Sequence, residues 1–265
     1  MFPFIIHHGA IVIPTFFFMV MVASLSAALY LYRRAPRVGF SQVVILDIAL
    51  LGTFFGIIGA RLFHVFAEAP WYYREDPIRV LYFWQGGFVG YGVFFGILFS
   101  AILYLKLRKL PILPYADFIA LACPLIIFFV RIGCIGAGCC YGKPTDFFLH
   151  LTFIHPSSDG GRDFPGVALH ATQIYDLLNA VAVFAVIHWL YPRKRFHGQV
   201  LLVFFMLYGL IRGLIEFLRG DLDRGVYFDG MFSTSQAVGI VILIFGGWLW
   251  FLWSRRYPVV RNSAS

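Results

Sequence analysis

Three arginines, Arg61, Arg131 and Arg212, stand inside or at the ends of long apolar stretches, where a charge is costly to place. Each such group costs about 2.5–3.5 kcal/mol on insertion scales and tends to mark function. A guanidinium is a planar fork that binds phosphate through parallel hydrogen bonds. Arg212 and Glu216 are four residues apart, so on a helix they share a face and the acid can orient the base. Three arginines at matching depth, with Glu216 counted as the one acid beside them, read as a pocket for an anion rather than as separate ion pairs. In a membrane the abundant anion is the phospholipid headgroup. Asp47 and Asp117 read as acids at helix starts, where they favour the helix dipole. A run from Trp84 to Gly96 carries Gly86, Gly87, Gly90, Gly92 and Gly96. Gly86 and Gly87, next to Gln85, would leave N–H groups bare for an oxyanion. Gly92 and Gly96 equally form a small-xxx-small pair for close helix packing. Tyr91, one turn deeper than Gly86 and Gly87, adds a hydroxyl that can donate to phosphate or help move a proton in catalysis. His64, one turn after Arg61, reads as a structural histidine.

These residues need helices to hold them, and the chain supplies seven apolar stretches, at 11–32, 43–66, 83–105, 112–131, 172–191, 198–218 and 234–254. Each approaches the roughly 20 residues that cross a bilayer. Basic clusters follow the first, third, fifth and seventh: Arg33, Arg34 and Arg37; Lys106, Arg108 and Lys109; Arg193, Lys194 and Arg195; Arg255, Arg256 and Arg261. They hold twelve of the 21 lysines and arginines and no acid. Because Lys and Arg are retained on the cytoplasmic side, this rhythm predicts an all-α integral membrane protein of seven transmembrane helices, amino terminus outside and carboxyl terminus cytoplasmic. Composition agrees: 60% of residues are hydrophobic, 13% are charged, and mean hydropathy is +0.81. The formal charge of +8 serves orientation and anionic lipid, not nucleic acid. Residues 1–265 read as one polytopic domain, with 143–171 as an outer loop or small head, and the tail after Tyr257 reads as unstructured. Cys123 reads as a packed thiol in an apolar helix. Cys134, Cys139 and Cys140 cluster after the fourth span as free thiols or a disulfide, and no metal site is expected.

Several segments together resemble the prolipoprotein diacylglyceryl transferase family. The run Arg131-Ile132-Gly133-Cys134 through Gly136-Ala137-Gly138-Cys139-Cys140-Tyr141-Gly142-Lys143-Pro144-Thr145-Asp146 resembles its R-x-G-N-F-x-N-G-E-x-x-G-R-P-T-D signature. Trp84–Gly96 resembles W-x-G-G-x-x-x-H-G-G, and His170 through Gln173, Tyr175 and Asp176 resembles H-P-S-Q-L-Y-E. Tyr208-Gly209 with Arg212, Glu216, Phe217 and Arg219 resembles Y-G-x-x-R-x-x-x-E-F-x-R. The resemblance implies transfer of the diacylglyceryl group of phosphatidylglycerol to the lipobox cysteine of a secreted preprolipoprotein. It also implies a glycerol phosphate leaving group, no cofactor, and a multi-pass protein of the bacterial cytoplasmic membrane with its site toward the outer leaflet. Arg131 and Arg212 would hold the phosphate, Arg61 would assist, and Glu216 would orient Arg212. Gln85, Gly86, Gly87, Gly92, Cys134, Cys139, Gly142, His170, Gln173, Tyr175, Tyr208 and Arg219 would form the rest of the substrate site.

The chain departs from the family pattern at points that bear on chemistry. Tyr91 stands where the family has histidine, Val93 where it has the second glycine, and Cys134 where it has asparagine, while Ala137-Gly138-Cys139 replaces N-G-E. A tyrosine titrates near ~10 and is a poor base at neutral pH, whereas a thiol near ~8.5 needs less help to ionise. Three functions follow as expectations: the diacylglyceryl transferase with an altered base; a related phospholipid-using transferase with another acceptor and cysteine chemistry; and a non-catalytic phospholipid-binding paralogue.

Overall fold

The computed structural model describes residues 2–8, 11–82, 87–221, 226–227 and 232–259. Among these, seven helical spans are long and apolar enough to cross a membrane: Thr15–Val38, Gln42–Glu68, Gly90–Leu107, Ile112–Ala137, Thr172–Arg193, Gln199–Leu218 and Ser235–Arg256. The chain is an all-α membrane protein with short β-hairpins at its loops.

The amino end differs from expectation. Ile11–Pro14 is not the start of a span but strand β2, paired antiparallel with β1 (Phe4–His8). Its β-branched Ile-Val-Ile run suits a strand, and helix α1 (Thr15–Arg34) begins just after Pro14. Helix α2 (Gln42–Phe63) is followed by short α3 (Pro70–Glu75) and then by α4 (Gly90–Leu107). The expected third span opened at 83; residues 83–86 lie outside the described residues and the helix begins at Gly90. The fourth span is broken into α5 (Ile112–Ala120) and α6 (Cys123–Ala137). Pro124, in the first turn of α6, has no N–H to continue the ladder of α5, which explains the break.

Contacts divide the chain into two compact units, Tyr30–Ile112 and the remainder. In the first, α2 and α4 pack backbone to backbone. A Cβ on Gly92 would sit 2.2 Å from the Gly59 carbonyl oxygen, and one on Gly96 would sit 2.1 Å from that of Phe55. Gly92, a candidate for substrate binding, is thus committed to helix packing here. The Tyr104 hydroxyl donates to Asp47.

In the second unit, β3 (His150–Thr152) and β4 (Ala168–His170) form a hairpin around the one-turn helix α7 (Asp159–Asp163). Tyr141, Phe153 and Leu169 bury together, with Leu151 and Phe164 against them. The segment between α6 and α8 therefore carries a small core of its own rather than running as a plain connection. Helices α8 (Thr172–Leu190), α9 (Gln199–Ile215) and α10 (Thr234–Arg256) follow. Between α9 and α10, the backbones of β5 (Val226–Tyr227) and β6 (Phe232–Ser233) pair. Ser233 and Gln236 close a capping box at the start of α10, which satisfies two otherwise orphaned N–H groups.

Asp117 corrects a sequence expectation. It does not serve its own helix start but caps α9. Its Oδ1 accepts from the N–H of Val200 (2.9 Å) and Leu201 (3.1 Å), while Oδ2 accepts from Gly198 N (2.9 Å) and Lys194 Nζ (2.9 Å). The tail is corrected too: His197 N donates to Tyr257 O and Val259 N to Arg195 O, so the chain stays paired through Val259. Residues 260–265 lie outside the described residues.

Candidate functional site

Three helices of the second unit bring charge to one place. The last turns of α6 carry Arg131, the second turn of α8 carries Asp176, and α9 carries Arg212. Arg131 Nη2 lies 2.9 Å from Asp176 Oδ2, and Arg212 Nε lies 3.7 Å from the same oxygen. Arg212 Nη1 is 2.7 Å from Glu216 Oε2, an ion pair whose angle departs from that of a hydrogen bond. Arg219 joins them, 3.8 Å from Glu216 Oε2, with Nε donating to Asp221 Oδ1 at 2.9 Å. Burial works against the charge of Arg219, but its neighbours together, Asp221 first among them and Glu216 with it, outweigh burial and hold the proton more firmly than usual. The Asp176 side chain is only 3% exposed.

This network revises the charge inventory read from sequence. Glu216 is not the one acid near the arginines, because Asp176 and Asp221 stand with it. Three guanidinium groups thus meet three carboxylates, and breaking one partner of such a buried set is costly. Satisfaction is incomplete: Arg131 Nε and Asp176 Oδ1 are buried with no hydrogen-bond partner among the described residues. Buried polar groups are nearly always partnered, so the network has room for a further polar contact here. Tyr208, stacked on Phe204 with ring centroids 5.9 Å apart, borders Arg131.

An apolar groove of about 460 Å³ runs along the next stripe of α9, lined by Phe147, His170, Tyr175, Ile211, Leu214, Ile215 and Leu218. His170 and Tyr175 form part of its wall, with His170 Nδ1 3.3 Å from the Tyr175 hydroxyl, which itself donates to Leu149 O. Gln173 has a different task. It is fully buried, and its Nε2 donates to Cys139 O at 2.8 Å while Thr172 Oγ1 donates to Cys140 O at 2.6 Å. Together they tie the turn after α6 to the start of α8. Gly142 pairs with Arg219 in a β-bridge, and a Cβ there would meet His170 at 2.4 Å.

The remaining candidates lie in the other unit. Arg61, 2% exposed, donates to the carbonyls of Val80 (3.1 Å), Arg79 (2.5 Å), Tyr82 (3.1 Å) and Gly87 (3.4 Å). Its fork clamps the segment between α2 and α4, and a phosphate would have to displace those carbonyls. Gly87, at φ +73, packs beneath Arg61 and His64, and His64 Nδ1 lies 2.9 Å from the Tyr73 hydroxyl. Tyr91 is half-exposed and its ring is tilted against Phe63. Gln85 and Gly86 lie outside the described residues.

A family profile described as prolipoprotein diacylglyceryl transferase matches residues 3–252. The chain belongs to that family. Diacylglyceryl transferases similar to it include the phosphatidylglycerol–prolipoprotein diacylglyceryl transferase of Clostridium tetani, 30% identical over 86% of this chain and 88% of that protein. The protein of the same name from Paracidovorax citrulli is 32% identical over 80% of this chain and 77% of its own.

Sequence reasoning gave no site role to two members of the diacylglyceryl transferase network, Asp221 and Asp176, the latter quoted only within a motif. A signal was present: Gln173, Asp176 and Asn179 recur every three residues on α8, and all three are buried on one face with Ala180, Val183 and Ile187. A polar stripe on the buried side of a membrane helix is the pattern to look for.

Proposed function

We propose that this chain transfers the diacylglyceryl group of phosphatidylglycerol to the lipobox cysteine thiol of a preprolipoprotein, in the bacterial cytoplasmic membrane and from the outer leaflet. One observation carries the reading: Arg131 and Arg212, from separate helices, both point at Asp176 Oδ2 beside an apolar groove. Two forks aimed at one oxygen can share one phosphate, with Asp176 and Glu216 holding them in register. Ile211, Leu214, Ile215 and Leu218 would seat acyl chains or the apolar lipobox, with His170 and Tyr175 at the polar rim.

In the reaction the acceptor thiolate attacks the glycerol carbon that bears the phosphate ester. An S–C bond forms and a C–O bond breaks; glycerol phosphate leaves with the electron pair and, in net, takes up the thiol proton. Negative charge grows on the departing phosphate, where preorganised guanidinium groups stabilise the transition state more than the ground state. Arg131 and Arg212 supply that stabilisation, so the loss of the family histidine at Tyr91 is tolerable if they also favour the thiolate.

The test is incubation of the purified protein with radiolabelled phosphatidylglycerol vesicles and a lipobox peptide. Label on the peptide is expected, and its loss in Arg131→Ala follows. Label on the protein itself, or lipid binding without any product, would overturn the reading.

A further inference from the structure

Three thiols of this chain converge just beyond α6. The sulfurs of Cys134, Cys139 and Cys140 all lie within 4.8 Å of one another, with Cys134 buried and the other two partly buried. The turn is built to bring them there. Helix α6 is closed by Gly138 in the left-handed conformation (φ +72), whose N–H donates to Cys134 O at 2.8 Å. Cys140 is then held at φ +58, a conformation that a residue with a Cβ adopts rarely. Thr172 and Gln173 pin the carbonyls of Cys140 and Cys139.

From this convergence we infer that Cys134, Cys139 and Cys140 form a three-coordinate thiolate site for a soft monovalent d10 cation of the copper(I) class. Soft thiolates select copper(I), zinc or iron–sulfur clusters. A metal–sulfur bond is about 2.3 Å, so a trigonal planar ion sets its sulfurs about 4 Å apart, within an ångström of the observed bound. Zinc takes a fourth ligand in its structural sites. Beside Cys134 stands the Arg131 guanidinium, with Nη1 3.9 Å from Sγ; it is a cation that stabilises thiolates but cannot coordinate. A singly charged ion also adds the least positive charge next to it. Binding releases the thiol protons to solvent and changes no oxidation state.

A disulfide uses two of three sulfurs and strands the last. Between neighbours Cys139 and Cys140 it is disfavoured further, because consecutive Cα atoms are about 3.8 Å apart and ordinary bridges span about 4.4–6.8 Å.

The experiment titrates the reduced, full-length protein in detergent with copper(I) acetonitrile complex under anaerobic conditions, against a chromogenic copper(I) chelator. One equivalent is expected to resist the chelator, with sulfur-to-copper charge-transfer absorption. Cys134→Ser, Cys139→Ser and Cys140→Ser should each weaken retention by more than about 100-fold, since even outer-sphere changes cost 10–100-fold. Cys123→Ser should retain copper as the parent does. No retained copper, retention unchanged in the three variants, or zinc held in preference to copper(I) would overturn the assignment. So would an intact-mass measurement showing the native protein two hydrogens light through a disulfide among these cysteines. The peptide-labelling assay is separate, so failure of this site leaves the transfer reading standing, and the reverse.

Discussion

At the scale of single residues, Asp176 ties the site together because two guanidinium groups share one of its oxygens. Asp176→Asn keeps the shape and removes the charge, leaving Arg131 and Arg212 facing each other across an amide. The expected outcome is a fall in peptide labelling of at least about 100-fold with the fold retained, the scale of losing one preorganised electrostatic contact. Arg131→Lys should fare little better, since an ammonium cannot reproduce the bidentate fork. Measured kcat against KM for both variants separates them from Gln173→Ala, whose side chain ties the loop after α6 and should lower thermal stability.

At the scale of elements, two joints carry the load. Asp117 caps α9 from another span and accepts from three backbone N–H groups and Lys194. Asp117→Ala strands a part-buried lysine and the helix start together, a loss approaching the roughly 3–5 kcal/mol of broken buried pairs, read as a drop in melting temperature in detergent. Gly92→Ala places a methyl within 2.2 Å of a carbonyl oxygen, so α2 and α4 must separate. Lower thermal stability is expected, whereas Gly90→Ala, which meets no atom within 4 Å, should behave as the parent apart from local backbone effects at the helix start.

At the scale of the whole molecule, the small head between α6 and α8 carries a pH signature. The Tyr141 hydroxyl donates to Asp163 Oδ2 at 2.6 Å. That bond, with Arg162 helping, holds the Asp163 carboxyl below its ordinary range, while burial and then Asp163 push the Tyr141 phenol upward. A carboxyl with a depressed folded-state pKa stabilises above its unfolded value near ~4 and loses that as pH falls. A phenol with a raised one stabilises below ~10 and loses that as pH rises through its folded value. Proteolysis of the head around Ser157–Asp163 should therefore be slowest between these limits, and Asp163→Asn should abolish the acid-side dependence. The proposed orientation makes the same segment a topology probe. Protease added to intact spheroplasts should cut at Arg162, and protection until lysis would place the head on the cytoplasmic side.

Helix number and type were legible in the sequence, because a bilayer demands long apolar runs whatever their partners. The Arg212–Glu216 pairing was legible for a similar reason, since a spacing of four sets a shared face locally. What the fold alone decided was which charges meet. Asp176 enters the network only through the crossing of α6, α8 and α9, whereas Arg219 and Asp221 join Glu216 locally in the chain that follows α9, and Arg61 is drawn instead to the carbonyls around 79–87. Asp117 found its task on a helix some eighty residues away. The span break at Pro124 and the hairpin at Ile11–Pro14 escaped a reading by hydropathy, because hydropathy sums over residues and is blind to backbone hydrogen bonds. Local pattern settled the elements; the pairing of distant polar groups, forced by the cost of leaving any of them alone in an apolar interior, settled the site.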